Sequence, residues 1–368
     1  MALLDLPSDT LVKVLGVLDT RDLLIIASFA KHSAKLQETL FHLTPSPVIL
    51  KVETIPPNIF TSQGAESTKD ITLVHSSIHP QAIPYEESSN IFFDTIKYFN
   101  NTRERKVTLQ FRLNINDDMS CIEELLIRTE MLIQYNFKFS FSMFRFIHYR
   151  ETSIFSLPNQ ELEKFNWSEV TFTTTGFDYR HKYEPSFYKT NVENIPPISI
   201  SWLKNSTDLE YLHIGERYKI EGDLESLSFK KLKKVKFESL DRMTCQSFTQ
   251  FLSNNSEVIE DLHVKHYFKS YNYYAMHNLK RLELIAFKYY EFEPFAYLFD
   301  RQIEIVVKGR GMACVLKECK RRKSERKYPN ITVAEFKPNQ SLVEQAKKEF
   351  GINFVPCPKS DHFPWVIL

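Results

Sequence analysis

Between residues 209 and 284 the chain repeats one spacing four times, apolar-x-x-apolar-x-apolar. It reads Leu209, Leu212, Ile214; then Leu232, Val235, Phe237; then Ile259, Leu262, Val264; then Leu279, Leu282, Leu284. The first members are 23, 27 and 20 residues apart (209 to 232, 232 to 259, 259 to 279). The last two apolar positions of each unit alternate as in a strand with one buried face. A unit this short cannot bury its own strand, so neighbouring units must stack and share a core. Weaker copies flank the four: Leu132, Tyr135, Phe137; Leu162, Phe165, Trp167; and Tyr328, Ile331, Val333. Residues 107–111 and 303–307 alternate like further strands, and residues 311–323 and 341–350 read as helices. Thirty phenylalanines and 17 tyrosines favour strands over a purely helical array.

These steps fall in the period range of leucine-rich repeats, which the segment resembles. The resemblance implies an α/β chain whose long second part is an irregular leucine-rich-repeat-like solenoid of strands and helices. One departure is plain. The Asn that follows the strand in that family is replaced by Arg217, Leu240, Tyr267 and Phe287. The competing reading is that short apolar strands in any α/β domain produce this spacing by accident. In a solenoid, the residues between the strand aliphatics line the open concave face. They are Tyr211, His213, Lys234, Lys236, Asp261, His263, Arg281 and Glu283, the candidate target-binding set. Their mixed charge suits a protein partner better than a nucleic acid. Taken singly, each also reads as a solvated strand position.

The first 45 residues differ from the rest, being rich in leucine and other aliphatics. Pro45 and Pro47 stiffen the joint, so the expected domains are 1–45 and 46–368. Pro7 suits the first turn of a helix carrying Leu11, Val14, Leu15 and Leu18. A second helix starts near Arg21-Asp22, and a third holds Leu36, Leu40 and Phe41. Val12 and Val17 flank the main stripe of the first helix, and the second carries four aliphatics in a row. A surface helix needs an apolar stripe of only about 100° toward its own core. The surplus either packs on the rest of the chain or is covered by a partner.

Residues 6–27 resemble an F-box. Leu6-Pro7 opens the segment, Asp9 stands two later, and paired aliphatics and a Val-Leu step follow. Leu18-Asp19-Thr20-Arg21-Asp22-Leu23 matches the hinge between helices. Ser33 stands where many members carry Trp, and Phe29-Ala30-Lys31 fits the usual Val-Cys-Lys/Arg loosely. The resemblance implies a partner, the Skp adaptor of cullin-RING (SCF) ubiquitin ligases. Leu6 and Pro7 would make the entry contact, and Leu11, Leu15, Leu18, Leu23 and Ile26 the buried apolar surface. Sequence alone does not divide these five between the adaptor interface and the segment's own core. A short F-box on an aromatic-rich repeat domain is also similar to the F-box expansions of nematodes.

Chemistry-bearing motifs are scarce. Forty-seven basic against 46 acidic residues give a formal charge of +1, with no general pull toward nucleic acid or anionic lipid. Eight glycines leave little room for a glycine-rich phosphate loop. His75 and His79 lack a Glu companion and precede Pro80, and Cys314 and Cys319 have no answering pair, so no metal site is expected. No nucleophile-base motif occurs, and no cofactor is expected. The basic run Lys317, Lys320, Arg321, Arg322, Lys323, Arg326, Lys327 reads as a solvated helix end, or else as an import signal or phosphate patch. Five scattered cysteines, no apolar span and an N-terminus without a basic flank point to a cytoplasmic or nuclear protein. The function that the F-box resemblance implies is non-enzymatic: substrate recognition for an SCF-type ligase. Alternatives are a scaffold acting outside ubiquitination and a hydrolase or transferase with an unrecognised site.

Overall fold

The structure is a computed structural model. It describes residues 5–17, 33–43, 48–54, 69–74, 81–84, 105–114, 137–146, 159–173, 198–215, 218–221, 224–238, 242–264, 276–286, 298–309, 311–322, 326–335 and 338–356, with single positions at 26, 123, 126, 127 and 130. The architecture is mixed α/β, with mostly parallel sheet and few helices. Two compact units emerge: Met1–Leu209 with Ile220–Gly222, and Glu210–Lys219 with Asp223–Leu368. The expected joint at residues 44–47 lies outside the described residues.

The first unit opens with α1 (Ser8–Leu15) and α2 (Ala34–Leu43), which pack on each other. Pro7 sits one position ahead of the helix, and its carbonyl accepts from Leu11 N at 2.9 Å. Ser33, where the F-box pattern has Trp, instead caps α2, its hydroxyl accepting from Leu36 N at 3.3 Å. Strands β1 (Val48–Thr54), β2 (Lys69–Val74), β3 (Gln81–Pro84), β4 (Arg105–Asn114) and β5 (Phe137–Phe146) follow. After a turn of helix, α3 (Asn159–Leu162), come β6 (Trp167–Thr173) and β7 (Ile198–Ser199). Strand β8 (Tyr211–Ile214) opens the second unit, and β9 (Ile220–Glu221) returns to pair with β7. In the first unit the strand order is β6-β5-β4-β1-β2-β3, with β6, β5, β4 and β1 parallel and β2 and β3 antiparallel. Its core is aromatic: Phe139, Phe141, Phe165, Trp167, Phe172 and Trp202 are buried and meet mostly edge to face. Both indoles are satisfied, Trp167 Nε1 donating to Leu162 O and Trp202 Nε1 to Ser199 O.

The second unit is one parallel sheet in chain order: β8, β10 (Lys234–Phe237), β11 (Asp261–Val264), β12 (Arg281–Ala286), β13 (Glu304–Gly309), β14 (Ile331–Glu335) and β15 (Asn353–Pro356). All twelve apolar positions of the four sequence repeats are buried. Register aligns them into two transverse rows on one face. The first is Leu212, Val235, Leu262, Leu282, Ile305, Ile331, and the second Ile214, Phe237, Val264, Leu284, Val307, Val333. Helices α4 (Arg242–Asn254) and α5 (Gly311–Arg322) pack on this face. Phe248 of α4 stacks on Phe237 with ring centroids 3.7 Å apart. Gly311 lets α5 approach β13 closely, since a Cβ there would lie 2.6 Å from Val307 Cγ1. Helix α6 (Gln340–Gln345) begins at the Asn339 cap and runs into a π turn (Ala346–Phe350), which Gly351 ends at φ 67°. No helix among the described residues is long and apolar enough to cross a membrane.

Candidate functional site

The strand period of two sends the residues between the buried aliphatics to the opposite face. Parallel register then lines them up across strands. One row runs Tyr211, Lys234, Asp261, Arg281, Glu304, and the next His213, Lys236, His263, Glu283. All eight residues read from the sequence as target-binding therefore lie side by side on one sheet face.

Ion pairs knit the rows. Lys234 Nζ lies 5.5 Å above the Tyr211 ring and 3.5 Å from Asp261 Oδ2. Arg281 reaches Asp261 at 3.7 Å, Glu283 at 3.2 Å and Glu304 at 3.5 Å. Below them, His213 Nε2 donates to Glu238 Oε2 at 2.9 Å, and Lys236 Nζ lies 3.4 Å from Glu238 Oε1. His263 Nδ1 is 2.8 Å from Glu283 Oε1, which Lys308 Nζ meets at 2.7 Å. His263 Nε2 is buried, without a hydrogen bond, 3.6 Å from Glu238 Oε1.

Two opposing forces set the charge states. Burial works against an ionised Glu238. The His213 donor and the cationic surroundings, Lys236 foremost, outweigh it and hold the carboxyl down to about 2. Burial likewise opposes an ionised Glu283, and the His263 donor together with Lys308 brings it to about 2. Burial pushes the His213 imidazole below its ordinary value, against the pull of Glu238, so it serves as a neutral donor to a carboxylate. What this arrangement offers is a set of charges and donors held in place by one another.

Three contributors escaped the sequence reading. Glu238 lies one residue past β10, and Lys308 and Glu304 lie on β13, which the strict repeat does not include. Parity was the available signal: Glu238 continues Lys234 and Lys236 at steps of two. Asparagines do serve the turns, at another offset. They work ahead of the strands or at their start. Asn255 donates to Leu227 O and Phe251 O and accepts from Phe229 N. Asn330 donates to Ile303 O, Asn353 to Pro329 O and Asn278 to Glu257 O. Each ties its turn to the preceding one.

In the N-terminal set, Leu11 and Leu15 are fully buried, Leu6 and Ile26 half-buried and Pro7 exposed. Leu6 O accepts from Lys35 Nζ. The exposed aliphatics of the α1 segment are Val14 and Val17, the latter 83% exposed. Leu18, Leu23, His75, His79, Lys323 and the start of the second helix lie outside the described residues. Much of the basic run is internally engaged. Arg321 and Arg322 both bind the fully buried Glu318, Arg322 also pairs with Asp300 at 2.7 Å, and Lys327 donates to the carbonyls of Lys348 and Glu349. Cys314 and Cys319 are buried and in no disulfide, and burial pushes the Cys319 thiol up to about 12. Among the described residues, no group of three or more His, Cys, Asp or Glu is placed to hold a metal ion. Compared with known protein families, curated proteins and solved structures, the chain matches none.

Proposed function

We propose that this chain is the substrate-recognition subunit of an SCF-type ubiquitin ligase, its N-terminal helices holding a Skp-type adaptor and its second unit a protein target. The α1 segment supports the first half. Leu11 and Leu15 are buried, while Pro7, Val14 and Val17 are exposed and would supply the contact surface. Apolar groups displayed beside an ordered Leu-Pro entry are what a partner helix would cover.

The observation that carries the second half is the polar ladder. All-parallel sheets ordinarily have helices on both faces. Here α4 and α5 take the apolar face, and the other bears eight register-matched polar side chains. Sequential parallel strands, one buried row pattern and asparagine-tied turns support the leucine-rich-repeat-like solenoid for this unit, with the ladder on its binding side. The ligase role asks of the chain proximity rather than bond-making: it holds a target lysine near a ubiquitin-loaded enzyme.

Co-precipitation of the full chain with a Skp-type adaptor and a cullin tests the assignment. The wild type should capture both, and L6A/P7A and V14D/V17D should lose the adaptor while keeping the thermal transition of the wild type. Capture of adaptor without cullin would favour a scaffold outside ubiquitination. Undiminished capture by both variants would refute the F-box reading.

A further inference from the structure

The ladder is neutral in sum but not in depth. Its cations, Lys234, Lys236, Arg281 and Lys308, keep 29% to 50% of their side-chain surface exposed. The carboxylates beneath, Asp261, Glu238 and Glu283, keep only 11% to 24%. Acid groups form the floor, and ammonium and guanidinium heads stand above it. Glu304, at the β13 end, is the exception at 55%. A partner pressed on this face therefore meets positive charge first, although each cation is already steadied from below. An ammonium has three donors and a guanidinium five, so the floor contact leaves donors for a second carboxylate.

Spacing adds a second constraint. Lys234 and Lys236 lie two residues apart on one parallel strand, about 6.6 Å, and neighbouring strands lie about 4.8 Å apart. An extended peptide repeats its same-side side chains at about that step, so acidic residues at alternate positions would meet Lys234 and Lys236 in turn. A nucleic-acid strand fits less well. Its unbroken run of charge would lie over three recessed carboxylates and against exposed Glu304, while a peptide can place neutral residues there.

We propose that the polar ladder of the second unit docks an extended acidic peptide segment of the target, its carboxylates received by Lys234, Lys236, Arg281 and Lys308. This deepens the proposed role by naming the chemical class of the target, and it rests on the ladder being the target-binding face.

The test uses the full chain and three fluorescein-labelled probes: a twelve-residue peptide with Glu at alternate positions, its Lys counterpart and a single-stranded DNA oligonucleotide. Fluorescence anisotropy should show saturable binding of the acidic peptide, weakened as ionic strength rises from about 0.05 to 0.5 M. The Lys peptide should not bind, and the oligonucleotide should bind more weakly. The K234Q/K308Q variant should lose about tenfold in affinity. K230Q/K231Q, which neutralises exposed lysines outside the ladder, should lose little. Thermal unfolding of each variant reports folding, and the single changes K234Q and K308Q serve if the double variant is unfolded. No binding of the acidic peptide, equal loss in both double variants, or tighter binding of the oligonucleotide would each overturn the proposal. Adaptor capture from the same preparation separates this failure from that of the ligase assignment: peptide binding can vanish with the adaptor still held, and the reverse.

Discussion

His263 donates through Nδ1 to Oε1 of Glu283 at 2.8 Å, and the same carboxylate oxygen takes Lys308 Nζ at 2.7 Å. Three neighbouring strands, β11, β12 and β13, are thereby joined on their polar face by one oxygen. Glu238 does the equivalent for β8 and β10 through His213 and Lys236. A sheet whose buried side is held by aliphatic rows thus has an electrostatic tie on its other side.

Acid should undo that tie. Glu238 and Glu283 titrate near 2 in the folded chain against 4.5 for an ordinary carboxyl. Their contribution is complete above the unfolded value and disappears as pH falls toward about 2. His213 acts in the same direction. Its folded value lies below 6.5, so below that pH the unfolded chain takes up a proton that the folded chain refuses. Denaturant unfolding at pH 7, 5 and 3 should show stability falling throughout, with Glu238 alone accounting for about 2 kcal/mol by pH 3. E283Q should flatten the part of the curve below pH 4.5; an unchanged acid limb would contradict this.

Asn255 should be costly to replace. Its buried amide serves two carbonyls and one N–H, at 3.0, 2.8 and 2.8 Å. N255A leaves all three without that partner and should destabilise by about 3 kcal/mol, measured by urea unfolding. N254A, at the exposed neighbour, should cost well under half as much.

At Gly311 the question is space. A methyl group there would press on Val307 at 2.6 Å, so G311A should destabilise by about 1–3 kcal/mol. V307A removes the opposing atoms, and G311A/V307A should lie closer to V307A than the two single effects added together. Simple additivity in thermal or denaturant melts would rule out the clash.

Cys319 should resist alkylation in the folded chain. Burial raises its thiol to about 12 and closes off access, and Cys314 is buried as well. Peptide mapping after iodoacetamide at pH 8 should find both unmodified until denaturant is added. Modification of Cys319 under native conditions would show that α5 opens readily.

The repeat residues show how far pattern reading reached. Leu212, Val235, Leu262 and Leu282 declared a strand period and a stacking direction, so the eight ladder residues could be named before their register was known. Glu238 and Lys308 could not, because each lies just outside the motif that marked its neighbours. The asparagines were sought after the strands by analogy, yet Asn255 and Asn330 act in the turns ahead of them. On α1, the apolar stripe treated Leu11, Val14 and Leu15 alike, and the folded chain separates them, burying both leucines and leaving Val14 exposed.

The order of apolar and polar residues determined by itself which positions face inward, because side-chain direction alternates along a strand whatever surrounds it. Which charges meet, and how deep each lies, was decided by the tertiary structure alone. Those distances depend on parallel register between segments 20 to 27 residues apart in sequence. Glu238 and His213 have no local interaction in the chain; they meet because β8 and β10 pair in register, with Lys236 opposite His213 and Glu238 one step beyond the strand.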